Sequence, residues 1–195
     1  LAVLASALAV APAGLQAQHP WSGLAAEVQI RLAVQAAPQE LRDGAMVQGY
    51  DASGSFTTLR PGANGLVCMA PNPVAESLEV SCHSAELEAF FARGRELSAQ
   101  GVTGQERITT RWAEHDAGKL AIPAGTVNYI LTGSGFDAGT GEIDDAYLRW
   151  TIYVPGATVE STGLSAQPSP DGPWLMFPGT AGAHIMLTPP RGGGE

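Results

Sequence analysis

Positive charge is scarce in this chain: Lys and Arg together number 10 against 19 Asp and Glu, a formal net charge of -9. Nucleic-acid binding depends on clustered Lys and Arg facing the phosphates, and docking on an anionic membrane depends on the same residues. The acidic balance argues against both. Charged residues of either sign make up only 15% of the chain, while Gly (24) and Pro (14) are plentiful. That balance argues against a coiled coil or a disordered chain and for a loop-rich α+β domain. No internal repeat is visible.

Cysteine is nearly absent as well, with Cys68 and Cys82 alone. No C-x-x-C is present to lower a thiol pKa, and neither Cys has a second Cys two to four positions away, as paired zinc ligands would. His83 directly follows Cys82, but a structural zinc site wants four ligands. The two cysteines therefore read as a disulfide, closing a loop of about fifteen residues and stabilising by roughly 3 kcal/mol through the freedom removed from the unfolded chain.

Long apolar runs are missing too, since a membrane helix needs about 20 apolar residues. The first stretch, LAVLASALAVAPAGLQA at 1–17, carries no charge and ends in small residues and turn formers. It reads as the apolar part of a removable secretion signal, with a basic start expected ahead of Leu1 and cleavage after Ala13 or Ala17. No Cys follows it, so no lipid anchor is expected. A signal over 1–17 makes the mature chain periplasmic or extracellular without membrane insertion, and that compartment favours the disulfide. The expected organisation is the signal, a single α+β domain over 18–188, and a flexible tail over 189–195. The domain is an antiparallel sheet with about three helices packed on one side.

Residues 23–37 read as a helix capped by Ser22 and stopped by Pro38, although Val28, Ile30, Leu32 and Val34 alternate as a strand would. Strands are expected at 45–50, 55–59 and 66–69, followed by a loop from Pro71 to His83. Ser84 caps a second helix with Leu87, Phe90, Phe91 and Leu97 on one face, and Thr103-Gly104-Gln105-Glu106 has the form of a capping box that starts a third. The best strands are 126–132 and 147–154, joined by a Gly- and Asp-rich loop, with a short helical turn at 158–163 and a closing strand at 183–188.

Signature motifs for catalysis are absent. There is no P-loop and no G-x-S-x-G elbow. The loop from Asp137 to Asp145 has Gly where an EF-hand needs its third and fifth ligands, so it reads as turn chemistry. His19 lies at the loose start of the mature chain. His115 shares a helical face with Ile108 and Trp112 and reads as a hydrogen-bonded residue at the edge of the core.

His184 is the better candidate for chemistry. Alternation in the last strand puts His184, Met186 and Thr188 on one face, and Tyr147, Arg149, Thr151 and Tyr153 share a face of the preceding strand. Joined, these faces would gather His, Arg and two Tyr to bind an anion or polar ligand. A half-solvated sheet face with no special role is the plainer reading. Trp174, Met176 and Phe177 lie close to His184 in sequence and suit a binding surface. No metal site and no cofactor are expected.

The segments Asn64-Gly65-Leu66-Val67-Cys68, Gly172-Pro173-Trp174-Leu175-Met176 and Ala183-His184-Ile185-Met186 carry N-G-x-x-C, G-P-W-x-M and A-H-I-M patterns. In these the chain resembles a group of exported bacterial proteins with no established activity. The resemblance implies a cell-envelope setting and no reaction. Leu66 and Val67 precede the Cys where that pattern more usually has an aromatic residue. Two functions follow from the sequence: a domain binding a small ligand or an envelope protein through Trp174, Met176, His184, Arg149, Tyr147 and Tyr153, or a small hydrolase using His184 with Asp137 or Asp171.

Overall fold

Gly23 takes a positive φ of 67°, so the chain is still turning where the first helix was expected to be under way. In the computed structural model, which describes residues 20–170 and 172–189, helix α1 runs Ala26–Ala33 and tightens into a 3-10 turn at Val34–Ala36. Ala25, not Ser22, is the N-cap, and no side chain caps it. The expected signal at 1–17, His19, Asp171 and residues 190–195 lie outside the described residues. Helix-favouring composition prevails over the strand-like alternation. The buried Gln29 amide donates to the carbonyls of Leu24 and Tyr50, and its oxygen accepts from the Tyr50 N–H. A fully satisfied buried amide thus ties α1 to the strand that follows.

The strands are β1 (Met46–Tyr50), β2 (Phe56–Arg60), β3 (Leu66–Met69), β4 (Leu78–Ser84), β5 (Val127–Gly133), β6 (Gly135–Phe136), β7 (Ile143–Asp144), β8 (Tyr147–Tyr153), β9 (Trp174–Met176) and β10 (His184–Leu187). Eight form one sheet in the order β2-β1-β3-β4-β5-β8-β10-β9, and β6 pairs with β7 alone. Only β1 and β3 run parallel; the other neighbours in the large sheet are antiparallel. The chain is therefore a single α+β domain built on a large, mostly antiparallel sheet.

Strand β4 corrects the expected loop, which ends before Leu78 instead of reaching His83. Its seven residues alternate: Leu78, Val80 and Cys82 bury one way and Glu79, Ser81 and His83 face the other. Both faces of β4 are covered around Cys82 and His83, so polar types there are inside the protein. Cys68 and Cys82 lie directly opposite each other on β3 and β4 and form the expected disulfide, with an S–S distance of 2.06 Å.

The helices divide between the two faces of the sheet, a correction to their expected packing on one side. Cys82 Sγ lies 3.3 Å from the Ala33 carbonyl oxygen, under α1. Its neighbour His83 stacks on Phe91 of helix α2 (Glu88–Ala99) at 4.3 Å, on the opposite face. One core gathers Leu32, Ala36, Val47, Val80 and Leu131 beneath α1. The other gathers Leu87, Phe90, Leu120, Ile122 and Tyr153 around α2 and helix α3 (Gly104–Asp116).

The expected caps are only partly made. Ser84 precedes the 3-10 turn Ala85–Leu87 that leads into α2, but its side chain makes no capping bond. Thr103 is the N-cap of α3, yet its side chain also makes none. Gly104 enters the helix at φ 56°, a left-handed start that disrupts the reciprocal geometry a capping box needs. That geometry is found instead at the short helix α4 (Val159–Thr162), where Thr158 and Ser161 cap each other.

Gly49 of β1 packs tightly against Gln29 of α1. A Cβ there would lie 2.5 Å from Gln29 Oε1 and 2.9 Å from the Ala70 Cβ. Gly49→Ala is expected to cost about 2 kcal/mol, as overpacked cores do, seen as a lower urea midpoint. A variant as stable as the parent would mean that Gln29 retreats while keeping its bonds.

Candidate functional site

The C-terminal third of the sheet gathers the residues singled out from the sequence. In the antiparallel pairing of β8 with β10, His184 stands opposite Tyr153 and Met186 opposite Thr151. Met176 and Trp174 of β9 stand opposite His184 and Met186 in turn. Directly opposed residues share a face, so Tyr147, Arg149, Thr151, Tyr153, His184, Met186, Trp174 and Met176 all project to the α2/α3 side. This face is not half-solvated: Thr151, Tyr153, Met186 and Trp174 are buried.

Most of this surface is packed from above. Phe90 of α2 meets Tyr153 edge-on at 5.7 Å, and the Arg111 guanidinium of α3 lies 4.1 Å over the Phe90 ring. Burial pushes the Tyr153 phenol up to about 12. Trp112 of α3 packs on Phe177 at 5.1 Å, with its indole covering Gly182 so closely that a Cβ there would collide with it. Phe177 holds its own φ at 54°, a conformation that costs about 1 kcal/mol for a non-glycine residue.

His184 belongs to this cluster. Its ring lies 5.4 Å from Tyr153 and 5.8 Å from Phe177, and Nδ1–H donates to the Gly182 carbonyl at 2.7 Å. Burial holds its pKa below the ordinary imidazole value, opposed by the weaker pull of that carbonyl. The structure does not bring Asp137 to it. The Asp137 carboxylate accepts from the N–H groups of Gly139 and Thr140 within its own loop. That loop is tied to the 3-10 turn after α1 through Gln35, which donates to the Gly141 carbonyl and accepts from the Ile143 N–H. His184 lies on the other side of the sheet, and Asp171 is outside the described residues.

Beyond the cluster the face opens. Tyr147 and Trp174, 27 positions apart in sequence, wall a cavity of about 330 Å³ together with Pro168, Pro170, Thr188 and Pro189. The Tyr147 hydroxyl donates to the Pro189 carbonyl at 2.9 Å. Trp174 is 7% exposed, and its indole Nε1–H is buried without an acceptor among the described residues. An adjoining cavity of about 410 Å³ shares Pro170, Thr188 and Pro189 and is walled by Trp150. Arg149 stands beside Tyr147, its guanidinium 5.9 Å from the ring centre and 3.8 Å from Glu79. Burial raises the Glu79 carboxyl above its ordinary range, and Arg149 only partly opposes this. Of the expected binding residues, Tyr147 and Trp174 line the cavity and Arg149 flanks it; Tyr153 and His184 belong to the packed cluster beside it.

Sequence reasoning missed a second polar centre. His83 is fully buried, and its Nε2 lies 2.8 Å from Glu88 Oε2 of α2. Arg95 binds the other Glu88 oxygen, Gln48 of β1 donates to it at 3.3 Å, and the Arg95 guanidinium lies 4.6 Å over Phe56. Burial acts to raise the Glu88 carboxyl, but the hydrogen bond from His83 and the charge of Arg95 outweigh it and hold the group below its ordinary range. His83 itself is sealed from solvent, and the network joins α2 to the sheet. The signal for it was the i, i+5 spacing of His83 and Glu88 across a strand-to-helix turn.

His115 is half-buried and donates from Nδ1 to the Leu120 carbonyl at 2.9 Å, at the core edge where its helical face put it. Among the described residues no group of three or more His, Cys, Asp or Glu is arranged to hold a metal ion. Nor is any described helix long and apolar enough to cross a membrane. No protein family, curated protein or solved structure matches this chain.

The Glu88 network carries a pH signature. A carboxyl held low in the folded state stabilises the protein above its unfolded pKa, and that stabilisation is lost as pH falls through the folded value. Glu88→Gln is expected to cost about 2 kcal/mol at pH 7, less than a wholly buried pair because Glu88 keeps some exposure. The gap between parent and variant should close as pH drops below about 4.5. Urea unfolding of both proteins from pH 7 to pH 3 measures it. A gap that stays constant would show that the carboxylate charge does not stabilise the fold.

Proposed function

We propose that this chain is an exported protein of the bacterial cell envelope that binds a small ligand without catalysing a reaction. Its binding site is the cavity between Tyr147 and Trp174. The single observation behind this reading is the cavity of about 330 Å³ that Tyr147 and Trp174 wall on the sheet face. Concave, mostly apolar sites with a few placed polar groups are what small ligands occupy.

A periplasmic or extracellular location is supported by the uncharged apolar segment at 1–17 and by the Cys68–Cys82 disulfide. The resemblance in the Asn64–Cys68, Gly172–Met176 and Ala183–Met186 segments agrees with an envelope setting. The hydrolase reading weakens for want of a carboxylate at His184 among the described residues, since its Nδ1 is engaged by Gly182.

A thermal-shift screen of envelope metabolites tests the site. A ligand at one hundred times its Kd should add about 2.7 kcal/mol of stability, read as a higher Tm. Trp174→Phe and Tyr147→Phe should each reduce the shift, whereas His184→Ala should leave most of it. A ligand shift untouched by both aromatic substitutions would place binding elsewhere.

A further inference from the structure

At the end of the β8–β10 ladder remote from Tyr147 and Trp174 lies a separate cavity of about 390 Å³. One wall is the last turn of α3, where Trp112, His115 and Asp116 stand at i, i+3 and i+4 and so share a helix face. The other wall is made by the turns around Gly156 and Thr180, which follow β8 and precede β10. These turns are pinned to each other. The Gly156 N–H donates to the Thr180 carbonyl at 2.8 Å, and the Gly179 N–H to the Ala157 carbonyl at 2.7 Å.

Charge sets what this cavity attracts. His115 donates from Nδ1 to the Leu120 carbonyl at 2.9 Å. A carbonyl oxygen only accepts, so the neutral ring keeps its lone pair on Nε2. Asp116 makes no ion pair among the described residues. Arg93 is bound to Glu114 and the Arg111 guanidinium lies over Phe90, while the charge of Lys119 acts on Glu114. Neither Lys nor Arg lines the cavity. The C-terminal end of a helix also carries the negative pole of its dipole, which favours a cation within the last turn. An unpaired carboxylate, an imidazole lone pair and a helix end thus act with one sign. Trp112 adds an aromatic wall against which a cation or its alkyl stem packs.

We propose that this cavity binds a small organic molecule through a primary ammonium group, with the Asp116 carboxylate and His115 Nε2 accepting its N–H bonds beside the Trp112 ring. A divalent metal ion suits the site less. Metal sites want three or more protein donors, and no such group of His, Cys, Asp or Glu occurs among the described residues. An anion would be repelled by the carboxylate. A neutral hydroxyl would forgo charge-assisted hydrogen bonds, which are roughly twice as strong as neutral ones.

The test titrates the protein with butylamine, n-butanol, tetramethylammonium and Zn²⁺ at about pH 8, where alkylamines remain charged. The ring signals of the four histidines report binding in long-range ¹H–¹⁵N spectra, and His115→Phe identifies the signal of His115. Butylamine should shift that signal. It should bind about tenfold more tightly than n-butanol, the same chain uncharged, and than tetramethylammonium, a cation without N–H groups. Asp116→Asn should weaken butylamine binding by about tenfold. In the parent, binding should also weaken as salt rises from about 0.01 M to about 0.15 M, a check that needs no variant. If n-butanol binds as tightly, or if affinity survives both Asp116→Asn and salt, charge does not select the ligand and the proposal falls. It falls equally if tetramethylammonium matches butylamine, if Zn²⁺ displaces butylamine at equal concentration, or if no probe moves the His115 signal. None of these outcomes bears on the Tyr147–Trp174 cavity, which has its own screen.

Discussion

A fully buried imidazole in the middle of a sheet must find a hydrogen-bond partner, and Glu88 supplies it to His83. Much of the architecture follows from that demand. Glu88 begins α2, so its contact fixes where the helix lands on the sheet, and Arg95 one helical stretch later neutralises the carboxylate. Once α2 is seated, Phe91 covers His83 and Phe90 reaches Tyr153 two strands away. On the reverse side of the same strand, Cys82 is bonded to Cys68 under α1. Two consecutive residues of β4 thus anchor the packing on both faces of the sheet.

The C-terminal strands inherit this arrangement. α3 packs with α2 and brings Trp112 and Arg111 over the end of β8 and β10, which turns His184 and Tyr153 into parts of a packed aromatic cluster. The helices stop short of the far end of the same face. There Tyr147 and Trp174 wall a cavity together with loop residues rich in proline, whose rings lack N–H groups and fill space unevenly. The cavity exists because the cover changes from helix to loop along one face.

Several features were legible in sequence for simple reasons. The strict alternation of β8 and β10 revealed which residues share a face, because side chains of a strand alternate with a period of two. Cys68 and Cys82, with no nearby Cys or complete ligand set, left few options but each other. The helical stripe of Leu87, Phe90 and Leu97 was likewise plain. β4 was hidden by its composition: Ser81, Cys82 and His83 look like loop residues when read beside Pro71-Asn72-Pro73. The capping box at Thr103 was a true pattern defeated by the left-handed Gly104 within it. β9 is three residues long between glycines and a proline, too short for periodicity to register.

Local rules acting over a few residues sufficed for the mixed helix and strand content, the disulfide and the division of β8 into two faces. They also sufficed to single out Trp174, Tyr147, Arg149 and His184. Which of these act together was decided only by the tertiary fold. Strand register set Tyr153 against His184, and helix cover packed over that pair while leaving Tyr147 and Trp174 at a cavity. The physical reason is range. Alternation and capping depend on neighbours along the chain, whereas burial depends on which distant segment lies above a side chain, and only the packing of α2 and α3 on the sheet decides that.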